Sequence, residues 1–414
     1  MGNCIKRSAS AAAAPAPFIP PPPPEPAVPA VPLTFADLPS RSSVLVTAFL
    51  SPNSRNEFRL TNRQAAQDGA ASTRDIIVRN RIDLHRALAI YSPGGLHGIT
   101  LNGASFTDDD LLLLPATLQR LKMVQCTGVS EHGIANLGAL RALQELDLSQ
   151  QRNLNDESLQ ALQHLPLQRL DLRECKQITD AGLANLPPTL TDLNLRSCQL
   201  ISNLGLAHLG PHPLSKLTLD HCPLITDDGI AALPRTLQNL SMILCDRVHL
   251  RTEEPMAGML LKTLNLNNRY FLNDDNLRFL PHSVTQLGLN GWRGMTATGI
   301  AHLMPMRLTD LDLGGCIQLS NAAITSLRLH QPEIKQLNLS NCSLIDDAGI
   351  AALANLPIEK LSLNHCHHLS DVGLGYLADL PLKKLNLTGC FRTTPEGRAN
   401  FAALPQFEHT QFEF

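Results

Sequence analysis

The sequence predicts an α/β solenoid, a stack of short strand–helix units, and three observations carry that prediction. The first is recurrence. The stretch "LTDLNLRSCQLISNLGLAHL" at residues 190–209 returns with small changes, and its units start at Leu96, Leu118, Leu143, Leu167, Leu190, Leu214, Leu237, Leu261, Val284, Leu308, Ile334, Ile358 and Leu382. A spacing of about 22 to 26 residues is that of stacked repeats. The second observation is a change of period inside each unit. Leu193 and Leu195 sit two apart and share one side of a strand, while Asp192, Asn194 and Arg196 share the other. The following "ISNLGLAHL" has helical spacing. The third is the placement of cysteine: nine of the ten (126, 175, 198, 222, 245, 316, 342, 366 and 390) occupy the same place in the unit.

No unit of this size buries its leucines alone, so stacking must supply one continuous core. At ~1.5 to 3 kcal/mol for each fully buried Leu or Ile, several such positions per unit offset the cost of ordering the chain. The expected product is a horseshoe of about 13 repeats over residues 96–414, with a parallel sheet on its concave face and helices on its convex one. In "DAGLANL" (180–186), "DDGIAAL" (227–233) and "DAGIAAL" (347–353) an Asp stands where a helix start favours negative charge. The cysteines read as small buried hydrophobes at the bend after each strand. A disulfide or metal framework requires paired C-x-x-C spacings, which the sequence lacks, and reduced thiols imply a reducing working compartment. The unit wording L-x-x-L-x-L-x-x-C resembles the leucine-rich repeat.

Ahead of the repeats lie four segments. Residues 1–8, "MGNCIKRS", place Gly2 and Cys4 as candidate lipidation sites, for myristoyl and palmitoyl groups, with Lys6 and Arg7 as a second membrane signal. The competing reading is an ordinary start followed by glycine. Residues 9–32 form an Ala/Pro-rich linker, expected to be disordered and extended through its five consecutive prolines; Pro-interrupted poly-Ala is a poor secretory signal. Residues 33–70 show two short helical patterns around a turn at Ser51, Pro52 and Asn53. Residues 71–95 read as an N-terminal capping segment, with an amphipathic helix over 72–91 that has Ser72 as N-cap.

The segment 33–70, with Leu-Pro at 38–39, an apolar helix ending in Phe49 and Leu50, a Pro-containing turn and then "FRLTNR", resembles an F-box, the module that docks on the Skp1 subunit of cullin-based ubiquitin ligases. The repeat wording G-[IL]-A-x-L resembles the GALA-type type III effectors of plant-pathogenic bacteria. This resemblance implies Skp1 binding through Leu38, Pro39, Val44, Phe49, Leu50, Phe58 and Leu60. It departs from the usual F-box at Ser40, where many have an acidic residue. An exposed apolar patch on a small helical unit marks a protein interface, although the same residues could instead cap the first repeat. The resemblance further implies secretion by a type III system into a host cell, with the host cytoplasm or the inner face of the plasma membrane as destination.

The outward strand residues are the expected target-binding surface: Arg169, Asp171, Arg173, Asp192, Asn194, Arg196, Asp310 and Asp312 among them, a mixed-charge pattern that gives specificity more than affinity. Any one of them is equally readable as an ordinary solvated strand residue. Repeats seven to nine depart from the pattern. There Arg269 and Trp292 take the cysteine position, and both are candidate anchors, unless Trp292 fills space left by the irregular seventh repeat. "HCHH" at 365–368 raises metal binding, but consecutive residues at a strand end diverge and Cys366 belongs to the cysteine series. No phosphate loop, nucleophile elbow or zinc-peptidase motif is present. A formal net charge of -3 and a pI near 6.6 leave no electrostatic footprint for nucleic acid. The resulting expectation is no enzyme and no cofactor, but an adaptor between a Skp1-like subunit and a target protein, with a blocking scaffold of the ribonuclease-inhibitor-like kind as the alternative.

Overall fold

The computed structural model describes residues 75–91, 96–268 and 273–414. Fifteen parallel strands pair in sequence order: β1 (Asp75–Val78), β2 (Gly98–Asn102), β3 (Arg120–Val124), β4 (Glu145–Asp147), β5 (Arg169–Asp171), β6 (Asp192–Asn194), β7 (Lys216–Thr218), β8 (Asn239–Ser241), β9 (Thr263–Asn265), β10 (Gln286–Gly288), β11 (Asp310–Asp312), β12 (Gln336–Asn338), β13 (Lys360–Ser362), β14 (Lys384–Asn386) and β15 (Gln411–Glu413). Every repeat start read from the sequence lies two residues before a strand. The register is in step throughout, with Leu193 opposite Leu170 and Leu217. In a typical strand the central leucine points inward and its two neighbours point out, as in the Asp192–Leu193–Asn194 burial pattern.

Four interlocking rows hold one repeat against the next. The first is apolar: Leu190, Leu193, Leu195, Ile201, Leu206 and Leu209 are all completely buried, and their equivalents recur down the chain. The second is the thiol row, in which each Cys Sγ donates to a backbone carbonyl of the preceding repeat, such as Cys198 to Leu172 at 3.2 Å and Cys390 to Leu363 at 3.0 Å. Burial pushes these thiols up, Cys126 to about 11 and Cys198 to about 12, so they remain protonated donors. In the fourth strand's repeat Gln151 replaces cysteine, and its Nε2 reaches the equivalent carbonyl, Met123 O, at 3.2 Å. The third row is backbone. Residues just before the cysteine position stand at positive φ, among them Glu174 (61°), Ser197 (60°) and His221 (59°). Non-glycine residues resist this conformation, but here most of these N–H groups donate to the next repeat, as Ser197 N does to Asp220 O at 2.8 Å.

The fourth row explains the D-x-G wording. Asp180 begins its own helix, Asp180–Leu183, and its carboxylate accepts from the N–H (2.7 Å) and hydroxyl (2.5 Å) of Ser202, the N-cap of the following helix. Asp156 does the same for Thr179 and Asp347 for Ser370. Glycine is needed because a Cβ on Gly205 would lie 2.3 Å from Asp180 Oδ1, and one on Gly373 would lie 2.3 Å from Asp347 Oδ1. Where the N-cap is itself acidic, Asp346, the clamp is Asn321, whose Nδ2 donates at 2.7 Å. Two carboxylates there would repel.

The ends and the middle differ from the sequence reading. The helix expected over 72–91 is shorter: Asp75–Val78 is a strand, paired with β2, and only Arg81–Tyr91 is helical. Ile76 and Val78 alternate inward, as β-branched residues do on a half-buried strand, so the capping segment extends the sheet rather than merely covering it. After the thirteenth repeat, β15 adds a strand, closed by Phe401 and Phe407 with ring centroids 4.8 Å apart. In the middle, repeats seven and eight replace helices with 3-10 turns at Glu254–Met256 and Asp274–Phe279. Pro255 and Gly258 disfavour a helix in the seventh. Trp292 is fully buried, its indole packed in the row that cysteine occupies elsewhere.

Two outcomes follow. Gly205→Ala should displace the Asp180 carboxylate and lower stability by about 1 to 3 kcal/mol, read as a lower melting temperature. Trp292→Ala should cost about 3 to 5 kcal/mol by opening a core cavity; an unchanged melt would remove Trp292 from the core.

Candidate protein-recognition face

The outward side chains of the strands form two polar columns, one from the first strand residue and one from the third. Along β1 to β7 the strand-borne charges are paired with one another except for Asp171, which faces Arg173 of the following turn. Arg120 Nη2 reaches Asp75 at 2.7 Å across β2, where Gly98 leaves the path open. Lys122 pairs with Asp147 at 2.6 Å, Lys216 with Asp192 at 3.0 Å, and Arg169 with Glu145. A shallow groove of about 400 Å³ runs over this part of the sheet.

The middle of the face, β8 to β10, carries no charge: Asn239, Ser241, Thr263, Asn265, Gln286 and Gly288 point outward. From here a second groove of about 490 Å³ runs to β15. Its floor is an amide and hydroxyl network in which Asn338 Nδ2 donates to Asp312 at 2.7 Å and Ser362 Oγ to Asn364 Oδ1 at 2.8 Å. Lys384 pairs with Glu413 at 2.6 Å. Among the described residues Lys360 and Asp310 make no ion pair; Asp310 accepts only from Thr309 Oγ1, at 2.7 Å.

The residues expected to bind a target fall into distinct groups. Asp171, Asn194 and Asp312 each accept from the backbone N–H two residues on, closing the turn after the strand (Arg173 2.9 Å, Arg196 3.0 Å, Gly314 3.0 Å). They are turn formers as well as face residues, and Asn194 also donates to Asp171 at 3.1 Å. Arg169 and Asp192 are held in ion pairs, and Arg173 lies 4.0 Å from Asp171. Arg196 and Asp310 remain accessible. Trp292 is not on the surface at all. Arg269 lies outside the described residues, as do Gly2, Cys4, Leu38, Pro39, Val44, Phe49, Leu50, Phe58 and Leu60. His365 and His367 are exposed beside buried Cys366, and no group of three or more His, Cys, Asp or Glu that could hold a metal ion occurs among the described residues.

The sequence reading missed the edge of the face. Phe391, at the bend after β14, is 81% exposed and stacks on His367 with centroids 6.0 Å apart and an interplanar angle of 4°. The available signal was its position: it directly follows a cysteine of the buried row, where its side chain must turn outward.

Asp147 and Asp171 are neighbours with opposite shifts. Burial raises both, but hydrogen bonds from Lys122 and Ser149 outweigh it at Asp147 and hold that carboxyl below its usual value. At Asp171 burial wins, helped by the adjacent Asp147 charge. Asp147 therefore contributes stability that is lost as pH falls through its lowered value, whereas ionising Asp171 costs stability as pH rises through its raised one. Denaturant titrations from about pH 3 to 7, spanning the ordinary carboxylate range, should show a flatter acid limb for Asp147→Asn. Asp171→Asn should leave neutral-pH stability unchanged or higher.

A profile of the family described as Leucine Rich repeat matches residues 163–186, 187–210 and 330–354. Among curated proteins none matches the sequence significantly. Solved structures do. A chain of the Rad7 and Elc1 complex in yeast superposes at TM-score 0.51 with 18% identity, covering 77% of this chain and 80% of that one. A chain of the TLR13–ssRNA13 complex gives 0.51 and 18%, over 81% of this chain and 54% of the other. The internalin inlF of Listeria monocytogenes gives 0.48 and 19%, over 84% and 88%. At these identities the likeness to the Rad7–Elc1 and TLR13 chains is one of fold, and it agrees with the strand-by-strand geometry: the described chain is a leucine-rich-repeat solenoid.

Proposed function

We propose that this chain is a non-enzymatic adaptor that captures a target protein on the outward face of its sheet and presents it to a ubiquitin ligase. The supporting observation is how the side chains divide. Leucine, cysteine and the clamping aspartates are consumed in holding repeats together, while the outward columns offer a broad, shallow, mixed polar wall. Such a wall suits recognition of another macromolecule better than enclosure of a small one. Chains sharing this fold have been solved in complexes, one of them the Rad7–Elc1 assembly.

The ligase half of the proposal rests on residues 33–70 and their F-box-like wording, with Leu38, Pro39, Val44, Phe49, Leu50, Phe58 and Leu60 as the Skp1-facing set. The repeat wording supports delivery into a host cell through a type III system, and Gly2 with Cys4 supports a place at the inner face of the plasma membrane. A blocking scaffold without ligase recruitment is the competing function.

Full-length protein should retain a Skp1-like subunit in a pull-down, and the Leu38→Ala, Pro39→Ala double variant should lose it. Absence of binding by both proteins would leave the scaffold function and remove the adaptor.

A further inference from the structure

We infer that the target engages the C-terminal third of the face, β12 to β14 and the loop edge beside them, through an acidic side chain set on Lys360 and a large apolar side chain set on Phe391. This rests on the reading that the outward face binds protein, and it assigns the place and the chemistry.

The first argument is the state of the charges. Between β1 and β7 every strand-borne ionic group except Asp171 is paired within the sheet, and Asp171 is half-buried with Arg173 of the following turn 4.0 Å away, so a ligand there must in most places break an existing pair before making its own. Exposed pairs are worth only about 0 to 1 kcal/mol, but exchanging one for another yields little net gain. On β13 the side chain of Lys360 projects from the face without such a partner. The neighbouring carboxylate, Glu359, is held by Lys383 at 2.7 Å and attracts Lys335 and Lys360 only at longer range, without an ion pair. Arg392, exposed at the loop after β14, adds a second cation. Charge complementarity therefore calls for a carboxylate.

The second argument is independent and concerns apolar surface. Phe391 is the most exposed large hydrophobic side chain among the described residues. Its ring nevertheless has a partner: it stacks on His367, whose centroid lies 6.1 Å from that of His365 in an edge-on arrangement. His365 in turn lies over Gly389, at φ +75°, where a Cβ would come within 2.4 Å of the imidazole Nδ1. Glycine thus makes room for the ring set. Leu344, 53% exposed, extends this edge one repeat further back from His367. An exposed aromatic already stacked on a neighbouring ring offers a large apolar surface to bury and is the kind of residue that anchors an interface. Lys360 and Phe391 belong to adjacent turns, one on the face and one at its edge, so a single protein segment can cover both.

The test places a photo-crosslinking amino acid in the full-length chain, at Gln336 or Thr388 near the assigned site and at Thr100 or Thr218 on the ion-paired part. The adducted protein is then purified and titrated against variants. The expected result is adducts from Gln336 and Thr388, with binding weakened about tenfold or more by Lys360→Glu and by Phe391→Ala, a loss typical of an anchor, and retained by Lys360→Arg. The double exchange Glu145→Arg with Arg169→Glu, which preserves the pair, should change affinity less than about twofold, as expected of a non-anchor position. Adducts confined to Thr100 and Thr218, or binding weakened by the exchange alone, would overturn the assignment while keeping the face as a protein-binding surface. Adducts to a second copy of this chain would overturn it in favour of self-association. No adduct at any of the four positions would overturn the broader reading.

Discussion

Each turn of this solenoid is dry on its inner side only because the next turn covers it, and that mutual burial is the constraint from which the rest follows. Leu193, for example, is flanked by Leu170 and Leu217 in register and is inaccessible to solvent. Removing one such side chain exposes surface in its own repeat and in both neighbours. The cooperative unit is therefore the pair of adjacent repeats, and stability accumulates along the stack.

Given that apolar interlock, the polar rows set its exact spacing. A thiol donates to a carbonyl one repeat back, a positive-φ N–H donates one repeat forward, and an aspartate at one helix start captures the N-cap of the next. Each hydrogen bond contributes about 0.5 to 1.5 kcal/mol net, less than the leucines. Their value is directional: they reject a slipped register that leucine packing alone would tolerate. The exceptions follow the same logic. Gln151 supplies the donor that cysteine would have supplied, and Asn321 replaces aspartate where the facing N-cap is already an acid. Gln331, buried after the ten-residue helix Asn321–His330, bonds Leu303 O at 2.6 Å and so absorbs the extra length of that repeat.

Because the inner side is filled and the turns are locked, recognition is left to the outward columns and the loop edge. These two regions are chemically different along their length. The N-terminal strands carry charges that, apart from Asp171, are matched within the sheet, the centre is neutral, and the last turns combine a cation without an ion pair with an exposed, stacked aromatic ring. A uniform scaffold thus presents a non-uniform surface, as function requires when partner choice comes from a few positions rather than from total area.

Strand positions, repeat boundaries and the buried cysteine row were legible in the linear order because burial imposes periods of two and of one repeat, which leave a direct trace in residue type. The D-x-G wording was equally visible, yet its reason was not: the aspartate acts on the following repeat, and the glycine makes room for the aspartate of the preceding one. Strand β1 escaped for a related cause, since "DIIV" becomes a strand through the open edge of β2, a partner that no local window contains. Among site residues the sequence could name the outward columns but not their condition. Whether Arg169 or Lys360 is available depends on which acid lies across the sheet, and whether Trp292 faces solvent depends on how the seventh and eighth turns fill their interior. Periodicity was thus determined by the chain alone, while pairing and exposure were decided only when turns distant in sequence came together.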